Sequence, residues 1–442
     1  MVTSVSTTPL TATQRNIFLA AVFVISTLYF SLGVFSRQEE GSLLVFYGLS
    51  AMTLITIGVF FRYLETEKII FPVKYLIISV IIIRVIGIYG VPLYEDDYYR
   101  YLWDGYLFYH YGTPYGIPPS DHFLNTDLPG IFQHIIGLIN NPDIPTIYGP
   151  TLQYSFLLAY LFAPGNVIAL QILYSFIDIA LILILLTLST PNRVLLYAWS
   201  PLVVKEIIFT AHPDIVGVML LMAALFFFVR HLKNYAVIFL SLSVCAKIFA
   251  WLFVPFILFY CTNKQRALFF AVVAALYFPF IGFNGSDFIG LLSFARDFEF
   301  NSALYSLATY LMPGIYAKAF CAGIFLVFYG IYFRHYLRTY KPGNPAIPRG
   351  DWILGAFLLC APVINAWYLI WLLPFGVIFR GTWVWVASAS VLLTYVTGLQ
   401  LNDVQMGSYD LAWWVVPVEF GVIGLAVLYD VRHKKKVNDI VE

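Results

Sequence analysis

Residues 69–105 read IIFPVKYLIISVIIIRVIGIYGVPLYEDDYYRYLWDG, an apolar run that ends in a cluster of charged and aromatic side chains. The apolar part, Ile69 to Gly90, is long enough to cross a hydrocarbon layer as a helix and carries an arginine, Arg84, near its far end. Its apolar residues are contiguous and do not alternate with a period of two, which favours a membrane helix over a barrel strand. The charged stretch from Glu95 is therefore predicted to lie at a membrane surface.

The rest of the chain has the same character. Of its 442 residues, 61% are hydrophobic and 11% are charged, and the mean hydropathy is +0.82. This composition predicts an all-α polytopic membrane protein, residues 1–442 forming one integral membrane domain of about 11–14 transmembrane or re-entrant helices. A net charge of +1 gives no indication of a nucleic-acid partner. The apolar composition makes the lipid bilayer the expected surrounding. The other crossings are predicted at Ile17–Phe35, Leu43–Phe61, Val167–Leu188, Val194–Phe209, Ile215–Val229, Ala267–Phe283, Ala317–Phe333, Val384–Leu399 and Ala412–Leu428.

Two further apolar segments, residues 234–261 and 352–379, have basic residues on both flanks. A single crossing would place one basic flank on the outer face, against the positive-inside tendency. Both segments are therefore predicted to be hairpins of two short or re-entrant helices. The expected breaks lie at Ser243–Lys247 and at Ala361–Asn365.

The orientation follows from the basic residues Arg62, Lys68 and Lys74, which are assigned to the cytoplasm. Both termini are then cytoplasmic, and residues 91–149 form a large extracytoplasmic first loop, long enough to suggest a function. The first apolar segment follows a Ser/Thr-rich start without positive charge, so it is expected to be retained as a membrane span. The four cysteines lie within or at the ends of apolar segments and are expected to be packing residues without disulfides.

The acidic motif Glu95-Asp96-Asp97 has two interpretations on its residues alone. Neighbouring carboxylates suit general-base chemistry, but a solvated acidic turn has the same composition. The interleaved tyrosines and Trp103 are typical of a sugar-binding cleft and equally of an interfacial aromatic belt.

Several ordered motifs resemble one family. They are Asp96-Asp97-Tyr98-Tyr99-Arg100-Tyr101-Leu102-Trp103-Asp104-Gly105, Gly112-Thr113-Pro114-Tyr115, Ile147-Tyr148-Gly149-Pro150, His212-Pro213-Asp214, Asn301-Ser302-Ala303-Leu304-Tyr305 and Trp367-Tyr368-Leu369-Ile370-Trp371-Leu372-Leu373-Pro374. In this order they resemble the GT-C glycosyltransferase superfamily and, more narrowly, bacterial polyprenol-phosphate-mannose-dependent mannosyltransferases. The resemblance implies a GT-C-like helical bundle in the inner (plasma) membrane. It also implies inverting transfer of a hexose, mannose by the narrower resemblance, from a polyprenyl-phosphate-sugar to an acceptor hydroxyl at the extracytoplasmic face.

The resemblance also implies roles for particular residues. The catalytic carboxylate, acting as a general base, maps onto Asp96 or Asp97, and the choice between them stays open. The leaving phosphate needs cations or hydrogen-bond donors, for which the candidates are Lys247, Arg84, His212 and Arg296. The remaining candidate substrate-binding residues are Arg100, Asp104, Tyr115, Tyr148, Asp214, Asn301, Trp367 and Tyr368.

Simpler roles stay open for the same side chains: a structural ion pair for Arg84, a lysine reaching the interface for Lys247, a helix-end histidine for His212 and interface anchoring for Trp367 and Tyr368. No His or Cys spacing indicates a metal site, and no cofactor is expected beyond the lipid-linked sugar co-substrate, although weak dependence on a divalent metal stays open. The expected acceptor is a glycolipid, a glycan or a protein.

Two other functions fit parts of the pattern. A transporter or flippase of a polyprenyl-linked glycan would also use many helices, broken spans and outer-face cations. Against it, the chain shows no repeat symmetry, and its polar residues gather at one face. A glycan polymerase or ligase would be expected to rely on arginines in a large later loop, whereas the largest loop here comes early and is acidic.

Overall fold

The structure is a computed structural model, which describes residues 10–38, 42–283, 286–341, 343, 345–403 and 405–438. The expectations for residues 1–9 and 439–442, at the two termini, lie outside the described residues.

The described part of the chain is helical and has no strand beyond two isolated bridges, Phe300 with Val363 and Thr397 with Leu411. Short 3-10 or π segments interrupt the α-helices at 119–122, 204–209, 248–253, 278–283, 366–371 and 391–395. The α-helices are α1 (Ala12–Phe35), α2 (Leu43–Thr66), α3 (Val73–Tyr89), α4 (Tyr98–Tyr111), α5 (Gly130–Ile136), α6 (Pro150–Phe162), α7 (Val167–Leu188), α8 (Pro191–Ala198), α9 (Pro201–Val203), α10 (Asp214–Val229), α11 (Lys233–Val244), α12 (Val254–Leu258), α13 (Asn263–Tyr277), α14 (Asp287–Asp297), α15 (Leu304–Thr309), α16 (Gly314–Thr339), α17 (Gly350–Cys360), α18 (Leu373–Phe379), α19 (Thr382–Ser390), α20 (Gly398–Leu401) and α21 (Val415–Asn438).

Among the described residues, five helical segments are long and apolar enough to cross a membrane: α1, α2, α7, α16 and α13 with its 3-10 extension to Gly282. The segment Pro201–Phe209 and α10 form a bent pair, and counting this pair as a single crossing makes six. These helices confirm the prediction of an all-α membrane protein. Many of their apolar side chains are exposed, Phe23 and Leu44 among them, as expected for helices that face lipid.

The bent pair corrects one predicted crossing. Residues 194–209 do not form one helix: α8 ends at Ala198, α9 restarts at Pro201, and a π segment runs to Phe209. The segment Pro201–Phe209 then meets α10 at 116°. Pro201 accounts for the break between α8 and α9, because proline disfavours helical backbone at the residue before it and readily starts a new helix.

Three other predicted crossings also differ in the structure. The one over Ile69–Gly90 is the 17-residue α3, which begins only at Val73, after Pro72, and is not among the five. The prediction of one helix over 384–399 is wrong, because α19 gives way to a 3-10 segment at 391–395 and α20 begins only at Gly398. The crossing predicted from Ala412 begins three residues later, at Val415.

The two predicted hairpin breaks are confirmed. The chain leaves helix at Cys245–Lys247 and again at Ala361–Asn365, and in each case the following helix folds back against the preceding one. Pro362 disfavours helix at its preceding residue. At the first break, the Thr151 N–H at the start of α6 donates to the free Cys245 carbonyl at 3.1 Å. A neighbouring element thus satisfies a backbone group that the break leaves without a helical partner.

Candidate functional site

A cavity of about 450 Å³ lies where the start of α4, the end of the 91–149 segment and the helix breaks meet. Its lining residues are Tyr94, Glu95, Asp96, Asp97, Arg100, Asn140, Asn141, Ile144, Pro145, Ile147, Tyr148, Lys247, Phe294, Phe298, Glu299, Phe300, Val363, Asn365, Ala366, Trp367, Tyr368, Thr394, Tyr395, Thr397, Leu399, Gln400 and Tyr409. Asp96 and Asp97 thus share one cavity with Arg100, Tyr148, Lys247, Trp367 and Tyr368, all of which are predicted site residues.

One amide holds the two aspartates. Asn140 Nδ2 donates to Asp96 Oδ1 at 2.6 Å and to Asp97 Oδ1 at 2.8 Å. Burial raises the pKa of Asp97 above its usual range, opposed by the hydrogen bond from Asn140 and by the charge of Lys247. Burial also raises the pKa of Asp96, and the charge of Asp97 raises it further. The pair therefore has a higher proton affinity than ordinary surface carboxylates.

Lys247 is a cation at the cavity wall, which Arg100 also lines. It occupies the break after α11 in extended backbone, and its Nζ lies 3.0 Å from Asp214 Oδ2 and 5.1 Å from the centre of the Tyr148 ring. Asp214, the first residue of α10, also accepts from Trp371 Nε1 at 2.9 Å. The break thus presents a partly exposed ammonium group to the cavity, and a buried carboxylate holds it there.

A buried polar network lies beside the cavity. Lys205 Nζ is 2.6 Å from Tyr395 Oη, 3.1 Å from Glu206 Oε1 and 3.9 Å from Glu95 Oε1. Tyr395 also donates to Glu206. Glu206 Oε2 lies 3.4 Å from His212 Nε2. Because Glu95 and Tyr395 line the cavity, the network connects it to fully buried charges.

His212 supports an aromatic side chain of the cavity. Its ring stacks on Trp367 with centroids 4.0 Å apart, and its Nδ1 lies 3.0 Å from Tyr101 Oη. His212 is fully buried and does not line the cavity, so it contacts Trp367 from behind. This placement favours the interpretation of His212 as a structural histidine that orients its neighbour.

Arg100, Asp104 and Tyr115 shape the site from the first loop. Asp104 accepts from Arg100 Nε at 3.2 Å and from Gln153 Nε2 at 2.8 Å, which ties α4 to α6. Arg100 Nη2 donates to the Ile144 carbonyl at 2.7 Å. Tyr115 Oη donates to the Tyr148 carbonyl at 3.0 Å. Of these three, Arg100 alone lines the cavity.

Arg84 lies away from the cavity in a structural ion pair. Its guanidinium is 2.7 Å from Asp178 Oδ2 and donates to the Ala198 carbonyl, and both side chains are at most 2% exposed. Tyr197 Oη donates to the other Asp178 oxygen at 2.7 Å. These contacts join α3, α7 and α8 and account for Arg84 without a ligand.

Arg296 and Asn301 also lie outside the cavity lining. The Arg296 side chain is 79% exposed and pairs with its neighbour Asp297, with Nε 2.7 Å from Oδ1. Asn301 is buried, with a left-handed φ of 46°, beside the bridge that joins Phe300 to Val363. Asn301 therefore lies at a junction between chain segments and does not face the cavity.

Sequence reasoning missed several cavity residues. They are Asn140, Thr397, Gln400 and Tyr409, which are uncharged and come from loops or short helices. Such residues carry no periodic or charge signal. Lys205 and Glu206 had a clear signal, two adjacent charges within an apolar run, and the structure places them in the buried network beside the cavity.

Within the described ranges, no group of three or more His, Cys, Asp or Glu side chains is arranged to hold a metal ion. Comparison with protein-family models, with curated proteins and with solved structures found no significant match. The resemblance to the GT-C superfamily therefore stays a prediction from the ordered motifs.

Proposed function

We propose that this protein is a membrane glycosyltransferase of GT-C type that moves a hexose, mannose by the sequence resemblance, from a polyprenyl-phosphate-sugar to an acceptor hydroxyl at the extracytoplasmic face. The observation that carries the proposal is the cavity in which two amide-held carboxylates lie close to Lys247. The ordered motifs support the sugar-transfer chemistry, and the clustering of predicted residues in one cavity supports a common site.

The chemistry needs one base and one anion-binding group. A carboxylate of the Asp96–Asp97 pair takes the proton of the acceptor hydroxyl, and the acceptor oxygen forms a bond to the sugar C1 from the face opposite the phosphate. The C1–O bond to phosphate breaks with its electron pair on the phosphate oxygen. The polyprenyl phosphate then leaves as an anion, which needs no proton.

Lys247 can stabilise the negative charge that develops on the leaving phosphate. A donor fixed before the reaction stabilises such charge without reorganising during the step. Lys247 is held by Asp214 but keeps a partly exposed ammonium group at the cavity. Its charge also lowers the pKa of Asp97, which links the anion-binding group to the base.

The cavity has an apolar side suited to a lipid carrier. Ile147, Phe294, Phe298 and Phe300 line it. The adjoining helix α14 also exposes Phe288, Ile289 and Leu292. An isoprenoid chain buries apolar surface favourably, at roughly 25 cal/mol per Å². The donor lipid would therefore enter from the side of the bundle beside α14.

The test measures transfer of radiolabelled hexose from synthetic polyprenyl-phosphate donors to a solubilised membrane lipid extract. Wild type is compared with Asp96→Asn and Asp97→Asn at matched expression, with Asp121→Asn as the control because Asp121 is exposed in the same loop and lies outside the cavity lining. We expect transfer by wild type and by the control, and a loss of at least about 100-fold in one of the two site variants.

Two outcomes would contradict the proposal. Equal transfer by all three variants would remove the acid pair from the chemistry. If wild type transfers nothing from mannose, glucose or arabinose donors but moves a lipid-linked glycan across vesicle membranes, a transporter is the correct function.

A further inference from the structure

One wall of the cavity consists of uncharged polar side chains. Thr394, Thr397, Gln400 and Tyr409, called here the neutral wall, all line the cavity. They come from the end of the 391–395 segment, from the N-cap and body of α20 and from the loop after it.

Backbone hydrogen bonds hold this wall in place. The Gly398 N–H donates to the Asp410 carbonyl and the Leu399 N–H to the Ser408 carbonyl, each at 3.0 Å. Thr397 and Leu411 form a bridge next to these bonds. Gly398 itself leaves no room for a side chain, since a Cβ there would lie 2.4 Å from the Gly407 carbonyl oxygen. The segment is therefore a closed turn that fixes Gln400 and Tyr409 at the cavity.

The neutral wall lies beside the acid pair. Tyr409 lines the same cavity as the acids and has Asp96, Asp97 and Glu95 as electrostatic neighbours. The wall therefore adjoins both carboxylates of the pair.

The chemistry of the neutral wall suits a neutral ligand rich in hydroxyl groups. The Thr397 hydroxyl, the phenol and the amide can each donate and accept hydrogen bonds, which matches the pattern of a sugar ring. The Thr394 hydroxyl donates its proton to the Val391 carbonyl at 2.7 Å and can still accept. The Tyr409 side chain is 61% exposed, so its ring face is open to a sugar. The wall has no cation to bind a phosphate and no acid of its own to bind an amine.

We propose that the neutral wall is the acceptor subsite of this enzyme and that it binds a neutral glycan or glycolipid headgroup beside the Asp96–Asp97 pair, which receives the acceptor proton. The inference rests on the proposed glycosyl transfer. Inverting displacement requires the acceptor and the leaving phosphate on opposite faces of the sugar. The neutral wall offers groups that can bind the acceptor, and Lys247 offers a cation for the phosphate.

The experiment compares Gln400→Ala and Tyr409→Phe with the control Gln405→Ala in full-length protein. Gln405 is exposed in the same turn and lies outside the cavity lining. Initial rates of transfer are measured while either the donor or the solubilised membrane lipid extract is varied. Octyl mannoside and its 6-phosphate are then tested as competitors of the extract.

We expect Gln400→Ala to raise the apparent KM for the extract roughly tenfold, the effect of one lost hydrogen bond, and to leave the donor KM within about twofold. Tyr409→Phe should raise the acceptor KM by a smaller factor. Gln405→Ala should match wild type, and the neutral octyl mannoside should compete better than its phosphate.

Other results would overturn the inference alone. They are a raised donor KM in Gln400→Ala, acceptor KM values equal to those of Gln405→Ala in both wall variants, or stronger competition by the phosphorylated compound. Absence of any transfer by wild type would instead refute the proposed function, and the acceptor subsite with it.

Discussion

At the scale of single residues, the Asp96–Asp97 pair depends on one amide. Asn140 lies more than forty positions further along the chain, yet its Nδ2 reaches both carboxylates. A hydrogen bond to the ionised form favours that form, so Asn140 opposes the effect of burial on both pKa values. The adjacent acids could be identified from the sequence, but the loop residue that lowers their pKa values could not.

This arrangement predicts the pH dependence of transfer. A base must be ionised, and its pKa is raised, so activity should be present above that raised pKa and should fall as the pH falls through it. Asn140→Ala removes a donor to the carboxylates and should move the acidic limb of kcat/KM to higher pH. A pH profile of both proteins checks this, and an acidic limb unmoved by Asn140→Ala would count against the role of the amide.

Arg84 yields a prediction about stability. Removing one partner of a buried ion pair leaves the other charge uncompensated, so Arg84→Met and Asp178→Leu should each lower the free energy of unfolding by about 3–5 kcal/mol. The double variant should be more stable than either single variant, because it buries no charge. Thermal unfolding in detergent measures this order. A double variant that unfolds as early as the single variants would contradict a purely structural ion pair.

At the scale of elements, short helices and breaks build the site. The sequence located the hairpin breaks near Lys247 and Asn365 through paired basic flanks, and the structure confirms their positions. It did not reveal that 194–209 is broken, since an apolar run with an internal proline also fits a kinked helix. The neutral wall escaped prediction because backbone hydrogen bonds define it, without periodicity or charge.

The contact between α6 and the first break can be tested through a glycine. A Cβ at Gly149 would lie 2.2 Å from the Cys245 carbonyl oxygen, whereas a Cβ at Gly130 would meet nothing within 4 Å. Gly149→Ala should force α6 away from the break beside Lys247 and lower stability by about 1–3 kcal/mol. Transfer activity should fall with it. Gly130→Ala is the matched control, and equal activity and unfolding temperature for both variants would refute the close contact.

At the scale of the whole molecule, composition was sufficient to predict an all-α membrane protein. The number of crossings was harder to predict, because several apolar segments that read as spans are short helices packed inside the bundle, for example α8 and α19. An apolar residue that faces lipid and one that faces another helix look the same in a sequence.

The orientation of the chain provides a topology prediction. If Arg62, Lys68 and Lys74 are cytoplasmic, the 91–149 loop lies outside. Asn125→Cys should react with a membrane-impermeant maleimide in intact cells, and Lys68→Cys should react only after the membrane is opened. Lys68 is exposed and Asn125 is partly exposed, and the four native cysteines are buried. The reverse labelling pattern would invert the proposed topology and move the cavity to the cytoplasmic face.

The lining of the cavity runs from Tyr94 to Tyr409 along the chain. It follows that the site can exist only after the ribosome has synthesised the chain as far as Tyr409. The acids of the first loop leave the translocon long before the neutral wall is made, so a nascent chain already displays its carboxylates but has no complete pocket around them. Under the proposed function, a product terminated before Tyr409 should therefore transfer no sugar.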